Sequence, residues 1–123
     1  MLKYKPGDDV GPLEFWPFDN PASNYSIREG EPRTSGRIDS GGPGHPTRHG
    51  IWRCTRGAFD CTEQGDELMM VLGGRGRIRD HATGAVTELA AGDSCFLRDG
   101  SRVTWEVDED LTKVFFAHKP GGY

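Results

Sequence analysis

Three side chains that could bind a metal ion or move a proton, Cys61, Glu63 and Glu67, lie close together in the run CTEQGDELMMVLGG. Carboxylate oxygens suit Mn²⁺ and a thiolate suits Zn²⁺, but the run has no histidine, so the donor set is chemically mixed and strongly negative when empty. We therefore expect no resident metal. A divalent ion such as Mn²⁺, Zn²⁺ or Ni²⁺, if bound, would use these three residues.

The two carboxyl groups offer a different chemistry when no metal is bound. Partly buried acids that lie close together lose hydration and repel each other, so at least one pKa should be raised, with one member protonated or paired with an arginine. Such a pair suits proton transfer or the recognition of an amine. Glu63 and Glu67 are thus the candidate catalytic residues. Cys61 is interpreted as a small buried side chain rather than a nucleophile.

Strand periodicity indicates which other side chains join these acids. Side chains two positions apart on a strand share one face, so the segments that carry the two glutamates should present their faces to a common interior. In SRVTWEV, apolar and polar residues alternate, which places Trp105 on the inner face. The predicted ligand pocket consists of Phe59, Cys61, Glu63, Glu67, Met69, Val103 and Trp105.

The strands themselves are predicted from short apolar runs between turn residues. No proline interrupts residues 51–118, and no helical apolar stripe is longer than a turn or two. Turns are predicted at GG, DHATG, AAGD, RDG and DED. Strands are predicted near residues 50–54, 57–62, 67–72, 75–80, 85–89, 94–98, 101–107 and 111–118. Many short strands in one small domain predict an all-β sandwich or jelly-roll barrel.

The first part of the chain has a different character. Residues 1–50 hold seven of the eight prolines, which prevent long helices and central strands. We predict an extended N-terminal arm over residues 1–47 with one or two short strands, near 25–28 and 36–39. A barrel core over residues 48–118 and a short tail over 119–123 follow. The arm carries three aromatic residues that we expect to be exposed, Phe15, Trp16 and Phe18.

Composition narrows the class of partner and the compartment. The chain has 123 residues, 15 Lys+Arg against 19 Asp+Glu, and a net charge of -4, which argues against nucleic acid or an anionic membrane as partner. No apolar run approaches the ~20 residues of a spanning helix, and MLKYKPGDDV lacks the apolar core of a signal peptide. Three dispersed cysteines suit reduced thiols. We expect a cytoplasmic protein.

Two segments resemble the cupin superfamily, and within it the small cupins similar to ureidoglycine aminohydrolase. They are GIWRCTRGAFDCTEQGDELMMVLGGRGRI and AAGDSCFLRDGSRVTWEV. The residues that carry the resemblance are Trp52, Cys54, Thr55, Gly57, Asp66, Glu67, Leu72, Gly74, Gly92, Asp93, Leu97, Gly100 and Thr104 to Val107. The resemblance implies a single-domain RmlC-like jelly roll, also called a double-stranded β-helix, and a homodimer.

The departures from the cupin pattern fall on the metal ligands. In the general cupin pattern, three histidines and a glutamate bind the metal. The histidine positions correspond to Cys61, Glu63 and Val103 here, and only Glu67 is kept. The resemblance therefore implies a scaffold that is retained around a remodelled pocket.

Three functions stay open at this point. The first is a small cupin that binds a small polar or amine-bearing metabolite without a metal, with its catalytic status undecided. The second is a metal-dependent enzyme similar to ureidoglycine aminohydrolase that acts on a C–N bond. The third is a non-catalytic structural or regulatory cupin. In each case the exposed aromatic residues of the arm and the sheet edges favour a homodimer as cover.

Overall fold

Nine β-strands and one 3-10 turn form the chain in the computed structural model, which describes residues 1–123. The strands are β1 (Glu14–Phe15), β2 (Ser26–Glu29), β3 (Thr34–Gly41), β4 (Thr47–Cys54), β5 (Gly57–Thr62), β6 (Asp66–Asp80), β7 (Val86–Ala90), β8 (Ser94–Leu97) and β9 (Arg102–His118). The turn covers Pro21–Ser23. No helix has the length and apolarity needed to cross a bilayer. The prediction of an all-β jelly-roll fold is confirmed.

Two long antiparallel strands, β6 and β9, organise the sheet. They pair with each other from Asp66 opposite His118 to Asp80 opposite Val103. The free side of β9 is occupied by β4 and then β5, end to end, and the free side of β6 by β8 and then β7. Strand β3 joins β4, β1 joins β3, and β2 joins β5. The curled sheet encloses the core because inward and outward side chains alternate along these strands.

Two predicted turns, GG at 73–74 and DED at 108–110, are wrong. Both lie inside β6 and β9, where the strand register shifts three times between Val71 and Gly76. Gly74 has φ +80°, and a Cβ there would overlap the carbonyl oxygen of Asp110. The two segments are therefore facing irregularities that bend paired strands, as β-bulges do, and they join the four predicted strands into two.

The N-terminal arm is more structured than the prolines suggested. It supplies three strands, β1, β2 and β3, instead of the one or two predicted, and β3 is the longest of them. The expectation that its aromatic residues are exposed holds only for Phe15, which is 58% exposed. Trp16 and Phe18 are half-buried and pack against the core. The arm thus covers part of the barrel with Trp16 and Phe18, and only Phe15 remains as an exposed aromatic residue that a second subunit could cover.

An exposed apolar row lies on the outer face of the sheet. It consists of Phe96, Leu68 and Phe116, which are directly opposite one another on β8, β6 and β9. Each of the three is more than half exposed. If a second subunit binds, this apolar row on the sheet is an alternative to the arm as the exposed apolar surface that it would cover.

Candidate functional site

A cavity of about 140 Å³ lies at one end of the barrel, between the sheet and the arm. Five of the seven predicted pocket residues line it: Phe59, Cys61, Glu63, Glu67 and Trp105. Met69 and Val103 do not; both are inside the hydrophobic core, at 2% and 0% exposure. They have the inward parity expected of them but lie in the packed interior, outside the cavity lining. The two glutamates thus reach the same cavity.

Glu67 is paired with a buried lysine that the sequence analysis did not include. The Nζ atom of Lys113 donates to Oε2 of Glu67 at 2.6 Å, and the two side chains are 5% and 8% exposed. The same Nζ lies 4.6 Å from the ring centroid of Trp52 and 4.7 Å from that of Trp105. The ammonium is held by a carboxylate and two indole faces, so its charge is compensated without water. Of the two states expected for one member of the acid pair, protonation or pairing with an arginine, Glu67 has a cationic partner, but that partner is Lys113 and not an arginine.

Glu63 is the carboxyl group of the cavity that has no cationic partner. Its Oε1 accepts a hydrogen bond from Nε1 of Trp105 at 3.2 Å and from the Cys61 thiol at 3.6 Å, and no protein group donates to Oε2. Burial, followed by the negative charge of Glu67, raises the pKa of Glu63 above its ordinary value. Glu63 therefore combines a raised pKa with a carboxyl oxygen that is available to a ligand.

The residues present do not fit the metal that the cupin resemblance implies. No group of three or more histidine, cysteine, aspartate or glutamate side chains in residues 1–123 is arranged to hold an ion. Burial raises the pKa of the Cys61 thiol, so this side chain is a neutral thiol in the free protein. The Lys113 ammonium lies 2.6 Å from Oε2 of Glu67, the one retained ligand, so this oxygen already has a cationic partner.

The N-terminal arm closes one side of the cavity. Trp16, Phe18 and Tyr25 line it, and the Phe18 ring lies 4.7 Å from Phe59 and 4.4 Å from Tyr25. Burial raises the pKa of Tyr25 to about 12, so its hydroxyl stays neutral at physiological pH. Backbone bonds and the Arg102 side chain, which donates to the Asn24 carbonyl at 2.6 Å, fix this segment. A ligand in the cavity would thus contact an aromatic wall as well as charged groups.

Arg48 is the second cation that the sequence analysis missed. It lies on β4, two positions from Gly50 and four from Trp52, and it lines the cavity. Lys113 likewise shares the inward parity of Leu111 and Phe115 on β9. A charged residue at an inward position of an otherwise apolar face was the available signal in both strands.

Comparison with known proteins places the fold within a family. A family model described as the EutQ-like cupin domain matches residues 41–115, more than half of the chain. No curated protein gives a significant match.

Solved structures with the same fold have low sequence identity. A protein described as ethanolamine utilization protein Q from Salmonella typhimurium is 21% identical, with 70% of this chain and 69% of that chain covered and a TM-score of 0.60. The EutQ protein of Clostridium difficile is 16% identical over 72% and 70% of the two chains, with a TM-score of 0.61. A cupin-like protein from Thermotoga maritima is 12% identical over 91% and 82%, with a TM-score of 0.65. At these identities the likeness concerns the fold alone. With the family match and the jelly-roll topology together, the chain belongs to the EutQ-like cupin domain family.

Proposed function

We propose that this protein binds a small, polar, amine-bearing metabolite in the barrel cavity without a metal ion. The observation that carries the proposal is that only one of the two cavity glutamates has a cationic partner. Glu67 is neutralised by Lys113, whereas Glu63 has no cationic partner and has an oxygen free of protein donors. An ammonium or other N–H donor of a ligand is the partner that a partly buried carboxyl group without a cationic partner favours.

The raised pKa of Glu63 gives this binding a pH dependence with a defined sign. The protonated carboxyl cannot form an ion pair with an ammonium, so affinity for an amine should rise with pH as the free protein loses the Glu63 proton. The ligand's positive charge in turn favours the ionised carboxylate. The same group can give a proton to a bound ligand or take one from it, which makes Glu63 the first candidate for any catalytic step.

A binding experiment with a near-isosteric variant tests the proposal. Isothermal titration calorimetry with n-propylamine should show binding to the wild-type protein that strengthens between pH 5 and pH 8. Glu63→Gln should weaken this binding at least about tenfold, the loss expected for a hydrogen bond to a charged group. Glu31→Gln, at an exposed position of the arm, is the matched control and should bind as the wild type does. Equal affinity in the Glu63 variant would contradict the proposal.

The metal-dependent alternative, an enzyme similar to ureidoglycine aminohydrolase, is the weaker proposal because no feature of the site favours it. Its ligand set lacks all three histidines, and its remaining glutamate is paired with Lys113. Metal analysis of protein purified without chelator or nickel resin separates the two functions. About one bound ion per chain would support the enzyme, and catalysis of C–N cleavage that depends on that ion would establish it.

A further inference from the structure

We propose that Arg48 binds a carboxylate of the ligand, so that the cavity recognises a small molecule with an amino group at one end and a carboxylate at the other. This inference rests on the proposed function, because it assigns the amino end to Glu63. It adds the second charged contact and with it the chemical class of the ligand, a small amino acid in the broad sense.

The first observation is that the charge of Arg48 is not compensated by any acid. None of the salt bridges of the chain includes Arg48. Its Nε is the one buried side-chain nitrogen or oxygen in residues 1–123 without a hydrogen-bond partner. A buried N–H of a charged group that stays unpaired is costly, and positions of this kind in proteins call for a specific explanation. A ligand carboxylate would supply the missing acceptor and the missing charge.

The second observation is that aromatic rings hold the guanidinium in place. Its central carbon lies 4.1 Å from the centroid of the Tyr123 ring and 5.9 Å from that of Phe115. The Tyr123 hydroxyl donates to the Gln64 carbonyl at 3.0 Å, so this ring is itself anchored. A stacked guanidinium keeps its N–H edge available for a planar acceptor, and a carboxylate is the group that this edge matches with two parallel bonds.

The third observation concerns where Arg48 lies relative to Glu63. Both line the same cavity, and both lie close enough to Tyr25 to act on its pKa, Arg48 lowering it and Glu63 raising it. The cavity volume of about 140 Å³ is close to the ~150 Å³ that holds one benzene molecule, or about six non-hydrogen atoms. A molecule of the size of β-alanine therefore matches both the volume and the opposite charges of the two residues.

The test compares three probes that differ by one charged end each: β-alanine, n-propylamine and propionate, titrated calorimetrically at equal ionic strength. In the wild type, β-alanine should bind at least about tenfold more tightly than either single-ended probe. Arg48→Met should weaken β-alanine about ten- to a hundredfold and leave n-propylamine unchanged. Arg48→Lys keeps the charge but not the planar N–H edge. Its affinity for β-alanine should therefore lie between those of the wild type and Arg48→Met. Arg98→Met, at an exposed position, is the control.

The outcomes separate this inference from the proposed function. If n-propylamine binds in a Glu63-dependent way but β-alanine binds no more tightly, or if the Arg48 variants keep the wild-type preference, the inference is overturned and the proposed function stands. If neither amine binds, both are overturned. If Arg48→Met does not fold, the β-alanine to n-propylamine affinity ratio in Arg48→Lys decides, and an unchanged ratio counts against the inference.

Discussion

Removing the positive charge from the buried ion pair should be the most damaging single change in the cavity. Lys113→Met keeps the length and the apolar stem of the side chain but leaves the Glu67 carboxylate without its partner. Both side chains are under 10% exposed, so the pair belongs to the buried class, in which loss of one member costs about 3–5 kcal/mol of folding free energy. We expect that loss at pH 7.

The magnitude follows from two opposed terms. At 2.6 Å two unit charges attract by ~6 kcal/mol at an effective dielectric constant of 20. Desolvation costs several kcal/mol per ion, so the intact pair contributes little net stability, whereas a single remaining charge keeps its desolvation cost without the attraction. The indole contacts of Lys113 add about 0.5–2 kcal/mol each. The double variant Lys113→Met/Glu67→Gln should therefore recover the part of the loss that comes from the unpaired Glu67 charge, whereas the indole contacts of Lys113 stay lost.

A double-mutant cycle measured by urea unfolding provides the assay. The free energies of unfolding of the wild type, Lys113→Met, Glu67→Gln and the double variant give the coupling energy, which should be at least about 2 kcal/mol. A Lys113→Met variant that loses less than about 1 kcal/mol, or single effects that add within about 0.5 kcal/mol, would refute the assignment of a buried, mutually compensated pair.

Three further predictions concern the carboxyl group, the bend and the outer face. A pKa raised in the folded state means that stability falls as pH rises from the unfolded value of ~4.3 through the folded one. Glu63→Gln should therefore gain stability over the wild type, in urea unfolding, by an amount that grows between pH 4 and pH 8; a constant difference would contradict this. Gly74→Ala should cost at least about 2 kcal/mol, because it adds left-handed strain and a clash with the Asp110 carbonyl, whereas Gly73→Ala, whose Cβ meets nothing within 4 Å, should cost far less. If the protein is the predicted homodimer and the apolar row is its contact, Leu68→Glu should give monomers in sedimentation, because a two-fold axis repeats the buried charge; a monomeric wild type would remove the prediction.

The fold could be predicted from local patterns, except where strands continue through turn-like residues. Alternation in segments such as SRVTWEV indicates strands, and the order of the motifs indicates the jelly roll. The GG and DED segments have the composition of turns, and only their mutual position across β6 and β9 makes them bulges in paired strands. That pairing is a long-range property, which a local pattern does not contain.

The site could be predicted as far as strand parity and the family resemblance extend. Glu67 and Trp105 follow from inward positions on β6 and β9, and Glu63, which lies just past the end of β5, follows from continuing the alternation of Phe59 and Cys61 by one step. Strand parity predicts that a side chain points inward but not how deep it lies. The prediction therefore includes Met69 and Val103 in the pocket, whereas both belong to the hydrophobic core. The available signal for a cation was in LTKVFFAH, where Lys113 stands at an inward position of an otherwise apolar face.

The end-to-end arrangement of β4 and β5 along β9 has a consequence for how the protein folds and opens. Cys54 on β4 pairs with Leu111 on β9, and Thr62 on β5 pairs with Arg102 on β9. The paired residues are therefore far apart in the sequence. Such non-local contacts give a high contact order, for which folding in milliseconds to seconds is typical. Because β6 and β9 pass through both halves of the roll, neither half can separate without breaking the ladder they share. Amide hydrogen exchange in the two regular parts of this ladder, on either side of the bend at Gly73 to Gly76, should consequently report global unfolding rather than local fraying.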